Sequence, residues 1–133
     1  MAYILLDIGH LFFFLQMKIK FISTESIEDI EKSTMDAMDA YLEDSFLISF
    51  DTETTGLVPF YNKVLLIILG DSKCAFVIDA RTISKERIKE SFRKIEGKTI
   101  IAHNMKFDFK MMYYHFNIRD RKSTRLNSSH RIR

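Results

Sequence analysis

Asp51 and Glu53 stand two residues apart at the end of an apolar run, and Asp108 follows Asn104 by four. In an extended strand, a period of two turns Asp51 and Glu53 to the same face. Two carboxylates held together repel and are costly to desolvate unless positive charge lies between them. A divalent cation supplies that charge, and hard oxygen donors suit magnesium or manganese. Asn104 and Asp108 share one face if the segment is helical. Each pair also has a plain reading. Asp51 and Glu53 fit a solvated strand end, Asn104 a helix cap, and Asp108 a first-turn acid favoured by the helix dipole. Taken singly, neither pair points to chemistry. Together they do, because each follows a short apolar run, FLISF (46–50) or TIIA (99–102). Adjacent strand ends in an open α/β sheet form a ligand crevice. Three carboxylates converging there can hold two metal ions, one to activate a water and one to stabilise the leaving oxygen of a phosphodiester.

The elements that must position these residues are legible in the patterning. KIKFIS (18–23) alternates polar and apolar residues like a half-buried strand. Thr24 or Ser26 is placed to cap a helix with Glu25, Glu28 and Asp29 in its first turn, and Ile27, Ile30, Met38, Tyr41 and Leu42 near helical spacing. That pattern ends near Asp44. FLISF reads as a buried central strand running straight into Asp51, and Gly56 and Pro59 then stop regular structure. VLLIIL (64–69) and CAFVI (74–78), joined by Gly70-Asp71-Ser72-Lys73, predict a hairpin. Residues 84–95 read as a charged helix with Ser84 as cap, Ile88, Phe92 and Ile95 inward, and Gly97 at its end. TIIA predicts another short strand, and 105–116 a helix. The hairpin implies antiparallel pairing, and the helical crossover to TIIA a parallel neighbour. The expected class is therefore α/β, a mixed sheet with helices packed on it.

Two longer motifs sharpen this. FDTETTGL (50–57) resembles the first motif of the DEDD superfamily of 3′→5′ exonucleases, and IIAHNMKFDF (100–109) resembles its second. The resemblance is strongest to the proofreading domain of family A, DNA polymerase I-like, polymerases. KFIST with its acidic helix, and VIDAR after the hairpin, fit that subgroup, and the likeness covers about residues 18–118. It implies a ribonuclease H-like mixed sheet flanked by helices, lacking here its last strand and helices. It implies two divalent cations, Mg2+ or Mn2+, held by Asp51, Glu53 and Asp108. Asp51 would bridge both, Glu53 would bind the one on the nucleophile side, and Asp108 would hold the second, often through water. Thr52 and Leu57 would line the 3′-terminal nucleotide, and Asn104 would orient substrate or carboxylates. The implied reaction is hydrolysis of the terminal phosphodiester of single-stranded DNA to nucleoside 5′-monophosphates. The implied partners are a DNA 3′ end and a polymerase domain in cis, in a bacterial or phage-infected cytoplasm. The first motif fits a ribonuclease D-like RNA-processing enzyme equally well. A non-catalytic nucleic-acid-binding module on the same fold is the third reading.

The pattern departs from the family after Asp108. A third motif should bring a fourth acidic ligand and a Tyr or His base four residues apart, and nothing matches it. Asp120 lacks the base at that spacing, and Tyr113, Tyr114 and His115 fall too close to the second motif, where packing or surface roles suffice. Little or no nuclease activity is expected of these 133 residues alone. Residues 119–133 lack apolar periodicity and carry six Lys/Arg against one Asp. They resemble translated sequencing-adapter read-through, so the natural chain is expected to continue differently beyond Ile118. The net +2 of the chain thus resides in this tail, the rest being −3, and its basicity is no evidence of a nucleic-acid surface. The division expected is an apolar extension (1–17), a partial exonuclease domain (18–118) and a basic tail, disordered or non-native. The extension is interrupted by Asp7, His10 and Gln16 and is short for a membrane span, so no membrane partner is expected. Cys74 is the only cysteine, which excludes an internal disulfide or four-cysteine zinc site.

Overall fold

The computed structural model describes residues 2–8, 11–23, 28–119 and 125–127, with side chains described for 18–23 and 34–119. The elements in chain order are β1 (Ala2–Ile8), β2 (Leu11–Ile22), α1 (Glu28–Asp44), β3 (Leu47–Thr54) and β4 (Val64–Gly70). They continue with β5 (Cys74–Asp79), α2 (Lys85–Lys94), β6 (Thr99–Ala102), α3 (Met105–Phe116) and β7 (Arg125–Asn127). Strand order across the sheet is β1-β2-β5-β4-β3-β6-β7. The β4–β5 hairpin is antiparallel, as its turn chemistry predicts. β6 lies parallel to β3, as the crossover through α2 requires. The result is a mixed α/β sheet of ribonuclease H-like type, flanked by helices.

The alternation of β3 decides which side is core. Ile48, Phe50 and Thr52 are buried while Leu47, Ser49, Asp51 and Glu53 are exposed. Phe50 meets Phe92 of α2 and Phe109 of α3 at ring-centroid distances of 5.7 and 5.3 Å. These helices therefore cover the Phe50 face. Met35, Met38 and Leu42 of α1 and Met111 and Met112 of α3 complete the core with Ile67, Leu69, Phe76 and Ile78 from the sheet. Each such side chain contributes about 1.5–3 kcal/mol on burial. Ser84 caps α2 as expected, its hydroxyl accepting from the Arg87 N–H at 3.2 Å. The expected strand FLISF begins one residue late. Phe46 is fully outside the sheet and exposed, because the chain turns there from α1.

Three findings go beyond the sequence reading. Residues 2–8 and 11–17 pair with each other antiparallel, and β2 then changes partner at Lys18 to run parallel with β5. The division placed between residues 17 and 18 is thus a change of pairing partner within one strand. On the far edge, Arg125–Asn127 pairs parallel with β6, on the side that sequence reasoning left open. Three residues of the segment read as a tail thereby occupy part of that edge. The cap positions Thr24 and Ser26 lie outside the described residues. Among the described residues no helix is long and apolar enough to cross a membrane.

Candidate active site

β3 delivers Asp51, Thr52 and Glu53 at its C-terminal end. Asp51 sits opposite Ile68 of β4 and Glu53 opposite Leu66, and the register shifts between Glu53 and Thr54. Such an irregularity bends a strand and re-aims the side chains beside it. β6 pairs with β3 in parallel, Ser49 beside Ile101, so both strands end at the same edge of the sheet.

From β6 the chain enters α3 through His103 and Asn104. Asn104 occupies the cap position with φ 52° and ψ 42°, and its side chain makes no capping bond. This corrects the cap reading. A capping side chain reaches the first-turn N–H groups from extended backbone, which left-handed backbone does not permit. Asparagine tolerates that conformation better than most residues, and strained backbone gathers at functional sites. The amide of Asn104 is left exposed at the edge where β3 ends.

Asp108 lies one turn into α3 and is only 2% exposed. Its Oδ1 accepts the Thr52 N–H at 3.1 Å and the Thr52 hydroxyl at 2.6 Å. Burial pushes the Asp108 carboxyl above the usual carboxylate range, and the charge of nearby Asp51 adds to that push. The two bonds from Thr52 act against both. Thr52, expected to line a substrate, is thus buried and holds Asp108 against β3. The signal was in the sequence, since period two turns Thr52 away from Asp51 and Glu53 and toward the helices. Asp51 and Glu53 share the opposite, exposed face. Among the described residues no group of three or more His, Cys, Asp or Glu side chains is disposed to hold a metal ion. The hard-oxygen pair Asp51 and Glu53 remains exposed, with the chemistry a magnesium-like cation takes, while Asp108 stands behind them through Thr52.

The loop after β3 is braced by Asn62. Its Oδ1 accepts the Val58 N–H at 2.9 Å, and its own N–H returns to the Val58 carbonyl at 2.9 Å. The Thr55 hydroxyl accepts the Lys63 N–H at 2.9 Å. A Cβ at Gly56 would come within 2.5 Å of the Asn62 amide, so a side chain there would push that amide aside and loosen the brace. The loop presents Leu57 to solvent, 79% exposed, just beyond the strand end.

A model of the 3′-5′ exonuclease family matches residues 22–132. The chain belongs to this family. The match runs from the end of β2 through the C-terminal segment. DNA polymerase I of Aquifex aeolicus (strain VF5) is 36% identical to this exonuclease domain over 72 residues, 54% of the chain. The chain spans 11% of that polymerase's length. Among solved structures, Trypanosoma brucei RNase D in complex with RNA U12 superposes with a TM-score of 0.66 at 12% identity, covering 85% of this chain and 38% of that one. Brucella melitensis NrnC with bound Mg2+ superposes with a TM-score of 0.55 at 18% identity, covering 82% and 50%. At such identities the structural likeness speaks for the fold alone.

Proposed function

We propose that this exonuclease domain belongs to a DNA polymerase and removes nucleotides from the 3′ end of single-stranded DNA, as a proofreading activity does. The observation that carries this reading is the 36% identity to a DNA polymerase I over 72 residues. Family membership supplies the reaction class, and the polymerase relative supports DNA as the substrate and a polymerase domain in cis. The setting that follows is the cytoplasm of a bacterium or of its phage-infected form.

Asp51 and Glu53 are the residues that would hold a divalent cation directly, being exposed carboxylates on one face of a strand end. Magnesium is supported by the chemistry of these donors and by its presence in NrnC, which shares the fold. A bound cation supplies a nucleophilic water at neutral pH and charge for the leaving oxygen. Thr52 fixes the Asp108 carboxylate, which would act on a second cation through water. Asn104 offers an exposed amide to orient the substrate, and Leu57 offers an apolar surface for the terminal base.

The chain holds the first two of the family's motifs, so its own turnover is expected to be low and binding is the direct test. Fluorescence anisotropy with 5′-labelled DNA and RNA of one sequence, in magnesium and in EDTA, separates the readings. The expected result is tighter, magnesium-dependent binding of DNA that Asp51→Ala loses. Tighter binding of RNA would assign the domain to RNA 3′-end processing. Binding indifferent to magnesium and to Asp51→Ala would make it a non-catalytic nucleic-acid module.

A further inference from the structure

Helix α2 carries basic residues on two sides, and one side is fully partnered. Arg87 and Lys94 turn to α1, where Arg87 meets Asp36 at 2.9 Å and both meet the buried Asp39, at 2.8 and 2.9 Å. Lys85, Lys89 and Arg93 follow one another at intervals of four, so they form a separate stripe. Among the described residues none of these three takes part in an ion pair. Lys89 is nonetheless half-buried. A cation partly withdrawn from water without a counter-charge is costly, and an anion brought to it offsets that cost.

The stripe lines two adjoining cavities between α2 and the last turns of α3. One, of about 540 Å³, has a floor of Phe92, Ile95, Ile100, Phe109 and Ile118. The other, of about 410 Å³, is walled on the α3 side by Tyr114, His115 and Phe116. Lys89, Arg93 and Asn117 line both, so they stand where the two meet. Volumes in this range suit small organic ligands. Lys85 adds positive charge to the smaller cavity and Arg119 to the larger, against one acid in each, Glu86 and Glu96. The balance is positive in both. His115 supplies an independent observation. Its Nε2 is buried and has no hydrogen-bond partner among the described residues. A buried polar atom of this kind calls for explanation, and an acceptor brought by a ligand is one.

We propose that this groove binds a small phosphomonoester, its phosphate meeting Lys89, Arg93 and His115 and its apolar body resting on Phe92 and Phe109. A phosphate offers acceptor oxygens to an ammonium, to the planar guanidinium fork and to an imidazole N–H at once. The apolar floor beside those charges favours a phosphate carried on a flat body over a bare inorganic ion. A nucleoside 5′-monophosphate has both parts, and it is what the proposed reaction releases. That choice of ligand rests on the nuclease reading. The groove itself lies on the helical side of the sheet, whereas Asp51 and Glu53 occupy the opposite, exposed face of β3.

The test is calorimetric titration of the 133-residue chain with thymidine 5′-monophosphate, thymidine and inorganic phosphate. EDTA is present throughout, so that no cation bridges the nucleotide to Asp51 and Glu53. Thymidine 5′-monophosphate should bind saturably, with thymidine and inorganic phosphate each about tenfold weaker or more. Lys89→Gln and Arg93→Gln should each weaken the nucleotide about tenfold, the worth of one charge-assisted contact. His115→Phe, which keeps a ring and removes the donor, should weaken it as well. Lys89→Arg restores the charge and should recover the affinity. Lys110→Gln alters an exposed lysine outside both cavities and should bind like wild type. Melting temperatures of all variants serve as the folding control. Nucleotide binding that Lys89→Gln and Arg93→Gln leave intact would overturn the groove, and its loss in Asp51→Ala would then place the nucleotide at β3. Inorganic phosphate binding as tightly as the nucleotide would overturn the phosphomonoester. A wild type that binds none of the three would overturn the site, while the oligonucleotide test of the nuclease reading stands apart from it.

Discussion

Thr52 couples the two motifs of this domain, since its amide and hydroxyl both serve one oxygen of Asp108. Removing the hydroxyl would leave a buried carboxylate short of a partner. Thr52→Val should therefore destabilise the fold by about 1.5–3 kcal/mol, the usual worth of a bond to a charged group. Urea denaturation measures this, and an unchanged midpoint would mean that the contact carries no weight. Tyr41 gives a second prediction at this scale. Its hydroxyl donates to both oxygens of Asp71, at 2.8 and 2.9 Å. Burial first, and the bond to Asp71 next, raise it from 10.0 to about 12. A group raised in the folded state contributes stability below its unfolded value and loses it as pH rises through the folded one. Stability should thus decline between pH 10 and about 12, and Tyr41→Phe should flatten that decline. Thermal melts across the alkaline range would show it. An identical alkaline slope in Tyr41→Phe would contradict the assignment.

At the scale of elements, glycine positions test the account of the turns. A Cβ at Gly70 would collide with the Cys74 carbonyl and the Ala75 backbone, where neither side can yield. Gly97 meets nothing within 4 Å but stands at φ +85°. Gly97→Ala should cost about 1–2 kcal/mol, from the left-handed conformation alone. Gly70→Ala should cost at least as much through strain in the β4–β5 hairpin. Chemical denaturation of both variants would settle the order, and a milder Gly70→Ala would contradict it. Much of this level was legible in the sequence. Val64–Gly70, Cys74–Asp79, Thr99–Ala102 and the α2 cap at Ser84 follow from apolar runs and turn chemistry, which act locally. The 2–17 pairing and the strand at 125–127 were not legible, because strand pairing depends on partners distant in sequence. Asn104 was misjudged for a similar reason. Its residue type permits both a cap and left-handed backbone, and only the entry angle from β6 decides between them. The three carboxylates were expected to converge, but Asp108 instead meets Thr52 on the buried side of β3, a placement that depends on helix α3 docking against Phe50.

For the molecule as a whole, acid should act through carboxylates that the fold holds ionised. The Arg81 side chain and N–H hold Asp79 below its ordinary value near 3.8. Burial works against Asp71, yet the N–H groups of Lys73 and Cys74 and the Tyr41 hydroxyl lower it on balance. Groups lowered on folding contribute stability above the unfolded value and lose it as pH falls through the folded one. Stability should accordingly fall below about pH 3.8, with Asp79→Asn losing part of that slope. The larger question is whether the exposed face of β3 is a metal site. Titrating the chain with manganese and following the free ion by paramagnetic resonance tests this most directly. Saturable binding that Asp51→Ala and Glu53→Ala each abolish, with melting temperature retained, is the result predicted. Undiminished manganese affinity in either variant would contradict it.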